Sequence, residues 1–149
     1  MLINLMIGLP AMLLCLMLQA LFVAVGVRQY ARFRTRKTCS DSLTRNIALL
    51  SAVMLVMLVG NSLQTGIWAA LFLMIGEFDQ FATALYFSGV TFATLGYGDI
   101  VMSEQWRLLS AIEAANGILM FGVSTAVMTA AVMDVMKRKM EQHSLSAPS

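Results

Sequence analysis

The sequence predicts an all-α membrane protein: three membrane-spanning helices and a shorter fourth helix that enters the bilayer and turns back. Three observations carry this reading. Apolar residues make up 59% of the 149-residue chain and charged residues only 12%, against roughly 45–50% and 25% in soluble domains. Three apolar stretches, Met1 to Val27, Ile47 to Ile75 and Leu108 to Met136, each exceed the ~20 residues that a helix needs to cross a ~30 Å hydrocarbon core. Between the second and third lies Gln80–Phe92, which as a helix reaches only about 20 Å at 1.5 Å per residue. It cannot cross, so it either lies in the interface or dips in and returns.

The first stretch also has a second reading, a cleaved signal peptide with a weak site at Ala24-Val25-Gly26. No positive charge precedes the apolar run, and the run is far longer than an h-region of about 7–15 residues. A retained span is the better fit. Residues 28–45 then form a basic linker, residues 46–136 one unit with two spans and the short helix, and residues 137–149 a short polar tail.

Charge placement orients the chain. Arg28, Arg32, Arg34, Arg36, Lys37 and Arg45 crowd the linker, and Lys137, Arg138 and Lys139 follow the third span. By the positive-inside rule both segments are cytoplasmic. The expected topology is a multi-pass protein of the cell membrane, with its N-terminus outside and its C-terminus inside. The outward-facing segment carries Glu77, Asp79, Asp99 and Glu104 against Arg107 alone, with Trp106 placed as an interfacial anchor. The linker arginines are spaced too irregularly for a voltage-sensing helix. They read as a topology anchor that meets anionic lipids.

Other classes have little support. A net charge of +2 argues against a nucleic-acid partner. His143 is the only histidine, too few ligands for a zinc site. Cys15 lies in an apolar run and Cys39 in the linker, so they read as separate thiols rather than a disulfide. No nucleophile–base pair or phosphate-binding loop points to an enzyme, and no cofactor is expected.

The segment after the short helix is the most informative. It reads Thr91-Phe92-Ala93-Thr94-Leu95-Gly96-Tyr97-Gly98-Asp99. A site that passes potassium must replace the ion's water with oxygen ligands, and rings of backbone carbonyls do so. Consecutive carbonyls on one side demand unusual backbone angles at alternating residues, which glycine tolerates. Gly96 and Gly98 sit at that spacing. Thr94 adds a hydroxyl as the innermost ligand, Leu95 a carbonyl, and Tyr97 points away and braces the loop. Irregular backbone at membrane depth is tolerated where protein or a water-filled path satisfies it.

On these residues the chain resembles the potassium channel family in its small pore-only form, with one extra N-terminal span. Thr91, Thr94, Gly96, Tyr97, Gly98 and Asp99 match the pattern T-x-x-T-V-G-Y-G-D. Ala115 to Ala126 looks like the family's inner helix, with Gly117 at its hinge glycine. The likeness covers roughly residues 46–136 and implies that the second span is the outer helix, the short one a pore helix and Thr94–Gly98 the selectivity filter. Leu95 replaces the usual Val, and Ala93 replaces a common Thr, which removes a hydroxyl behind the filter. Val90 stands where some members carry a carboxylate, so Asp99 lacks that partner.

Several side chains inside the membrane remain. Asn61, Ser62, Gln64 and Thr65 suit hydrogen bonding between helices. Glu113 is rarer, because intramembrane carboxylates are costly. It is read either as a structural anchor, with snorkelling to the outer surface open to it, or as a gating or proton sensor. Phe121, Thr125, Thr129 and Met133 recur every four residues and so share one helix face. They are expected to line a cavity and gate, with Met133 closing it; the alternative is that the threonines only bond neighbouring helices. Asp79 is expected to cap the short helix.

One filter per chain cannot enclose an ion, so the expectation is a homotetramer. Its function is passive conduction of K+ through a ring of filters, with four Asp99 carboxylates at the outer mouth. The alternatives are a non-selective cation channel and a non-conducting scaffold or sensor subunit with a pore-like fold.

Overall fold

The computed structural model describes residues 1–35 and 43–146, and among them the only regular elements are four helices. They are α1 (Leu2–Thr35), α2 (Leu43–Met74), α3 (Phe81–Phe92) and α4 (Arg107–Ser146). The windows Leu2–Arg32, Asn46–Met74 and Arg107–Lys137 are long and apolar enough to cross a membrane. The 12 residues of α3 are not. The architecture is therefore the all-helical membrane fold expected from the sequence.

The helices run further than the apolar stretches. α1 continues through Arg28, Arg32 and Arg34, because Arg is a good helix former. Both α1 and α2 thus reach into the 28–45 linker read from the sequence. Cys39 lies outside the described residues. α4 likewise continues past Lys139 into the polar tail.

α2 ends in a Schellman motif. Gly76 has φ 74°, its N–H donates to Leu73 O at 3.0 Å, and Glu77 N–H donates to Phe72 O at 3.0 Å. Only a residue tolerant of the left-handed region serves at that position. α3 starts at Phe81, with Gln80 as its N-cap in extended geometry and no side-chain cap bond. The expectation for Asp79 is thus corrected: the helix begins one residue too late for its carboxylate to cap it.

An aromatic cluster holds α3 against α2. Trp68, Phe72 and Phe87 are buried. Phe72 meets Phe87 edge-on at 5.6 Å between ring centres, and Phe78 lies 5.3 Å from Phe87. Such offset and edge contacts are the favoured aromatic geometries.

α1 packs on α2 and α4, and two glycines set its close approach. A Cβ at Gly60 would stand 3.0 Å from the Phe22 ring, and one at Gly8 would stand 2.8 Å from Ile112 Cδ1. Small residues at such crossings are how membrane helices gain van der Waals contact, since lipid supplies no hydrophobic drive. At one end Asn4 donates to Gln105 O (2.8 Å). At the other the Tyr30 hydroxyl donates to Asp134 (2.5 Å). α1 and α4 therefore run in the same direction.

A buried polar seam joins the three long helices. Gln64 Nε2 donates to Gln19 Oε1 (2.7 Å), and Gln19 Nε2 donates to Ser124 Oγ (3.1 Å), which also accepts from Asn61 Nδ2 (3.3 Å). Asn61 and Gln64 thus bond between helices, as expected. Ser62 and Thr65 instead donate to the carbonyls of Leu58 and Asn61 on their own helix. At these two positions the short hydroxyl reaches the carbonyl four residues back, whereas the longer amides of Asn61 and Gln64 span the gap between helices.

Candidate ion pathway

The turn from α3 into the loop is built like the end of α2, with threonine in the place of glycine. Thr94 N–H donates to Thr91 O (2.9 Å), and Leu95 N–H donates to Val90 O (2.9 Å). Thr94 has φ 59° and is the only non-glycine at positive φ among the described residues. A Cβ in that region costs roughly 1–2 kcal/mol. Such strain persists where the surroundings hold it, and it concentrates at functional sites.

Positive φ then recurs at Gly96 (55°) and Gly98 (76°). Left-handed residues at 94, 96 and 98 alternate with Leu95 and Tyr97 at negative φ. Unusual backbone angles at every second residue are what carbonyls aimed to one side of the chain require. Of the three left-handed positions, the sequence reading marked Gly96 and Gly98 as needing glycine; that Thr94 shares their conformation was not visible in its identity.

All of Thr94 to Asp99 is exposed on the single chain, Leu95 at 56% and Tyr97 at 67%. Tyr97 does not brace the loop from within its own chain. Beside this segment lies an open cavity of about 400 Å³, lined in part by Tyr86, Val90, Thr91, Ser110 and Ala114.

Asp99 has a partner that sequence reasoning missed. The Tyr86 hydroxyl donates to Asp99 Oδ2 at 2.7 Å. That bond holds the Asp99 carboxyl below its ordinary range and pushes the Tyr86 hydroxyl up. Tyr86 stands one helical turn before Val90, so a hydroxyl from the next turn reaches the aspartate. Further out, Glu77 accepts from both the N–H (2.6 Å) and the hydroxyl (2.8 Å) of Ser103, which ties the loop before α3 to the loop before α4.

α3 docks on α4 at two points. The carbonyl of Phe92 lies so close to Gly117 that an added Cβ would stand 1.9 Å from it. α4 runs unbroken through this position. The requirement for glycine seen here is close packing, a demand that the hinge reading did not anticipate. One turn earlier on both helices, Ser88 Oγ is hydrogen-bonded to Glu113 Oε1. Glu113 is 0% exposed, which overturns the idea that it snorkels to the outer surface. The α3 helix covers it, and the anchoring role is the one with a visible partner.

Below the loop, Phe121, Thr125, Thr129 and Met133 are all exposed on one face of α4. Phe121 meets Phe92 edge-on at 5.6 Å, beneath the end of α3. Thr125 and Thr129 donate to the carbonyls of Phe121 (2.8 Å) and Thr125 (2.9 Å) on their own helix. Neither hydroxyl is spent on a neighbouring helix of the same chain.

Comparison with known proteins agrees with this geometry. Searches of curated proteins and of solved structures gave no significant match. A family model described as "Ion channel" matches residues 49–134, more than half of the chain, from α2 through the loop to the lower part of α4. α1 lies outside the match and adds a span to it. The chain is a membrane protein and not an enzyme, and it belongs to this ion channel family, in the pore form with two spans around a re-entrant helix.

Proposed function

We propose that the protein is a subunit of a potassium-selective channel, in which four copies surround one axis and K+ is the permeant ion. The observation that supports this best is the alternation of left-handed backbone at Thr94, Gly96 and Gly98. A run of carbonyls facing one way replaces the hydration shell of a bare cation. One chain supplies only one side of such a cage. The exposure of the whole segment on the single chain fits closure by further copies.

In this reading Thr94 to Gly98 give the ion ligands, and the Thr94 hydroxyl adds the innermost. Tyr97 packs on the neighbouring subunit, where the cavity lined by Tyr86 and Val90 offers it room. Four Asp99 carboxylates, kept ionised by Tyr86, concentrate cations at the outer mouth. The exposed stripe Phe121, Thr125, Thr129 and Met133 faces the axis, the hydroxyls hold a hydrated ion, and Met133 closes the path by dewetting. Bending of α4 at Gly117 accompanies opening. The basic residues between α1 and α2 face the cytoplasm and anionic lipids, and the N-terminus and filter face outside.

Flux from liposomes tests the reading. Vesicles holding the purified protein should pass K+ far faster than Na+, and flux should stop in Gly96→Ala. Equal rates for the two ions would leave a non-selective channel, and no flux above empty vesicles a non-conducting subunit.

A further inference from the structure

The Ser88 hydroxyl sits between two oxygens. Thr65 O on α2 is 3.0 Å away, and Glu113 Oε1 on α4 is in hydrogen-bond contact on the other side. Two full hydrogen bonds need two hydrogens, where a shared one would weaken both. A serine hydroxyl carries one, and a backbone carbonyl carries none. A protonated Glu113 carboxyl is the group there that can supply the second. Ser88 then donates to Thr65 and accepts from Glu113.

The surroundings agree. Glu113 is fully buried, and its Oε2 has no partner. Ser88 is its neutral hydrogen-bond partner, and Cys15 on α1, which feels its charge, is flanked by the neutral side chains of Asn116 and Trp68. Nothing there balances a carboxylate, and an isolated buried charge is far more costly than a neutral acid with one oxygen unpartnered.

The contact also has a matched register. Ser88 and Phe92 are four residues apart on α3, as Glu113 and Gly117 are on α4. Glu113 holds Ser88 and Gly117 receives the Phe92 carbonyl. Two points fix both the height and the rotation of α3, and the chain enters Thr94 two residues beyond the second. We propose that Glu113, by donating its carboxyl proton to Ser88, is a positioning residue for ion selection, which locks α3 between α2 and α4 and so sets the geometry of the filter. This rests on the potassium-channel reading above.

The proton and the positioning are tested separately. Infrared spectra of the reconstituted protein at neutral pH should contain the C=O band of a protonated carboxylic acid, and Glu113→Gln should lose it. In planar bilayers Glu113→Gln, whose amide still donates to Ser88, should keep the K+/Na+ permeability ratio within about twofold of the unaltered protein. Glu113→Leu, which removes the bond to Ser88, should lower it about tenfold, the scale on which one buried bond acts, and Ser88→Ala, which removes the bonds to both Glu113 and Thr65, should lower it at least as much. No band lost in Glu113→Gln overturns the proton assignment. A Gln variant as impaired as the Leu variant, or a Ser88→Ala variant that selects normally, overturns the positioning role. If the unaltered protein itself does not prefer K+, the channel reading fails, and the infrared comparison still decides the proton; should Glu113→Leu not fold, Ser88→Ala and Glu113→Gln suffice.

Discussion

Replacing Gly117 with alanine puts a methyl group into the tightest contact of the molecule. The new Cβ would lie 1.9 Å from Phe92 O and 2.8 Å from Phe92 C, whereas real Cβ contacts essentially never fall below 3.0 Å. The end of α3 and the body of α4 must therefore part by at least about 1.1 Å, the difference between those two distances. Both obstructing groups are backbone, so no rotamer change relieves the clash. The cost should reach or exceed the ~1–3 kcal/mol of ordinary overpacking. The displacement falls two residues before Thr94, so it should pass into the filter as well as into stability. Two assays check this: thermal loss of the intact species on gel filtration in detergent, and the K+/Na+ permeability ratio in bilayers. Gly117→Ala should lower both. Gly66→Ala is the control: its Cβ meets nothing within 4 Å, and alanine favours a helix over glycine by up to about 1 kcal/mol. A Gly117→Ala protein as stable and selective as Gly66→Ala would refute the close-packing reasoning.

Tyr86→Phe removes the hydroxyl that lowers the Asp99 carboxyl. With the donor gone the carboxyl titrates at higher pH, so block of outer-mouth conduction by protons should begin at a less acidic pH; an unchanged acid profile would show that the bond does not matter. In a Cys39→Ser background, Thr125→Cys should react with a small cationic thiol reagent applied from the cytoplasmic side of open channels, and a bulky quaternary ammonium blocker should protect it. Val127, which lines a rear cavity with Tyr30, should be unreactive as cysteine; the reverse pattern would mean that another face of α4 lines the path. Cys39 in intact cells should resist a membrane-impermeant thiol reagent, and ready labelling would invert the topology.

The spans were legible because length and apolarity alone decide them, and the re-entrant helix because Gln80–Phe92 is too short to cross. The backbone of the loop was half legible. Glycine at 96 and 98 signals left-handed residues, but a threonine forced into the same region carries no mark of it in sequence. Partners across helices were the least visible. Glu113, Ser88, Gln19 and Gln64 each stand out as polar in an apolar run, yet which one meets which depends on the rotation of each helix. The same holds for Gly117: its identity suggests flexibility, and only the packed position of Phe92 shows that the space is occupied. Nothing in the identity of Tyr86 marks it as the partner of Asp99, yet its hydroxyl reaches the aspartate in place of the carboxylate that Val90 lacks.

The reversal potential under bi-ionic conditions, K+ on one side of a planar bilayer and Na+ on the other, tests the central claim most directly. If alternating left-handed residues at 94, 96 and 98 build a potassium cage, currents through the purified protein should reverse far from zero, in the direction set by K+. Gly96→Ala, which places a Cβ at φ 55°, should abolish that current or its selectivity. A reversal potential near zero for the unaltered protein, or unchanged selective current in Gly96→Ala, would contradict the account.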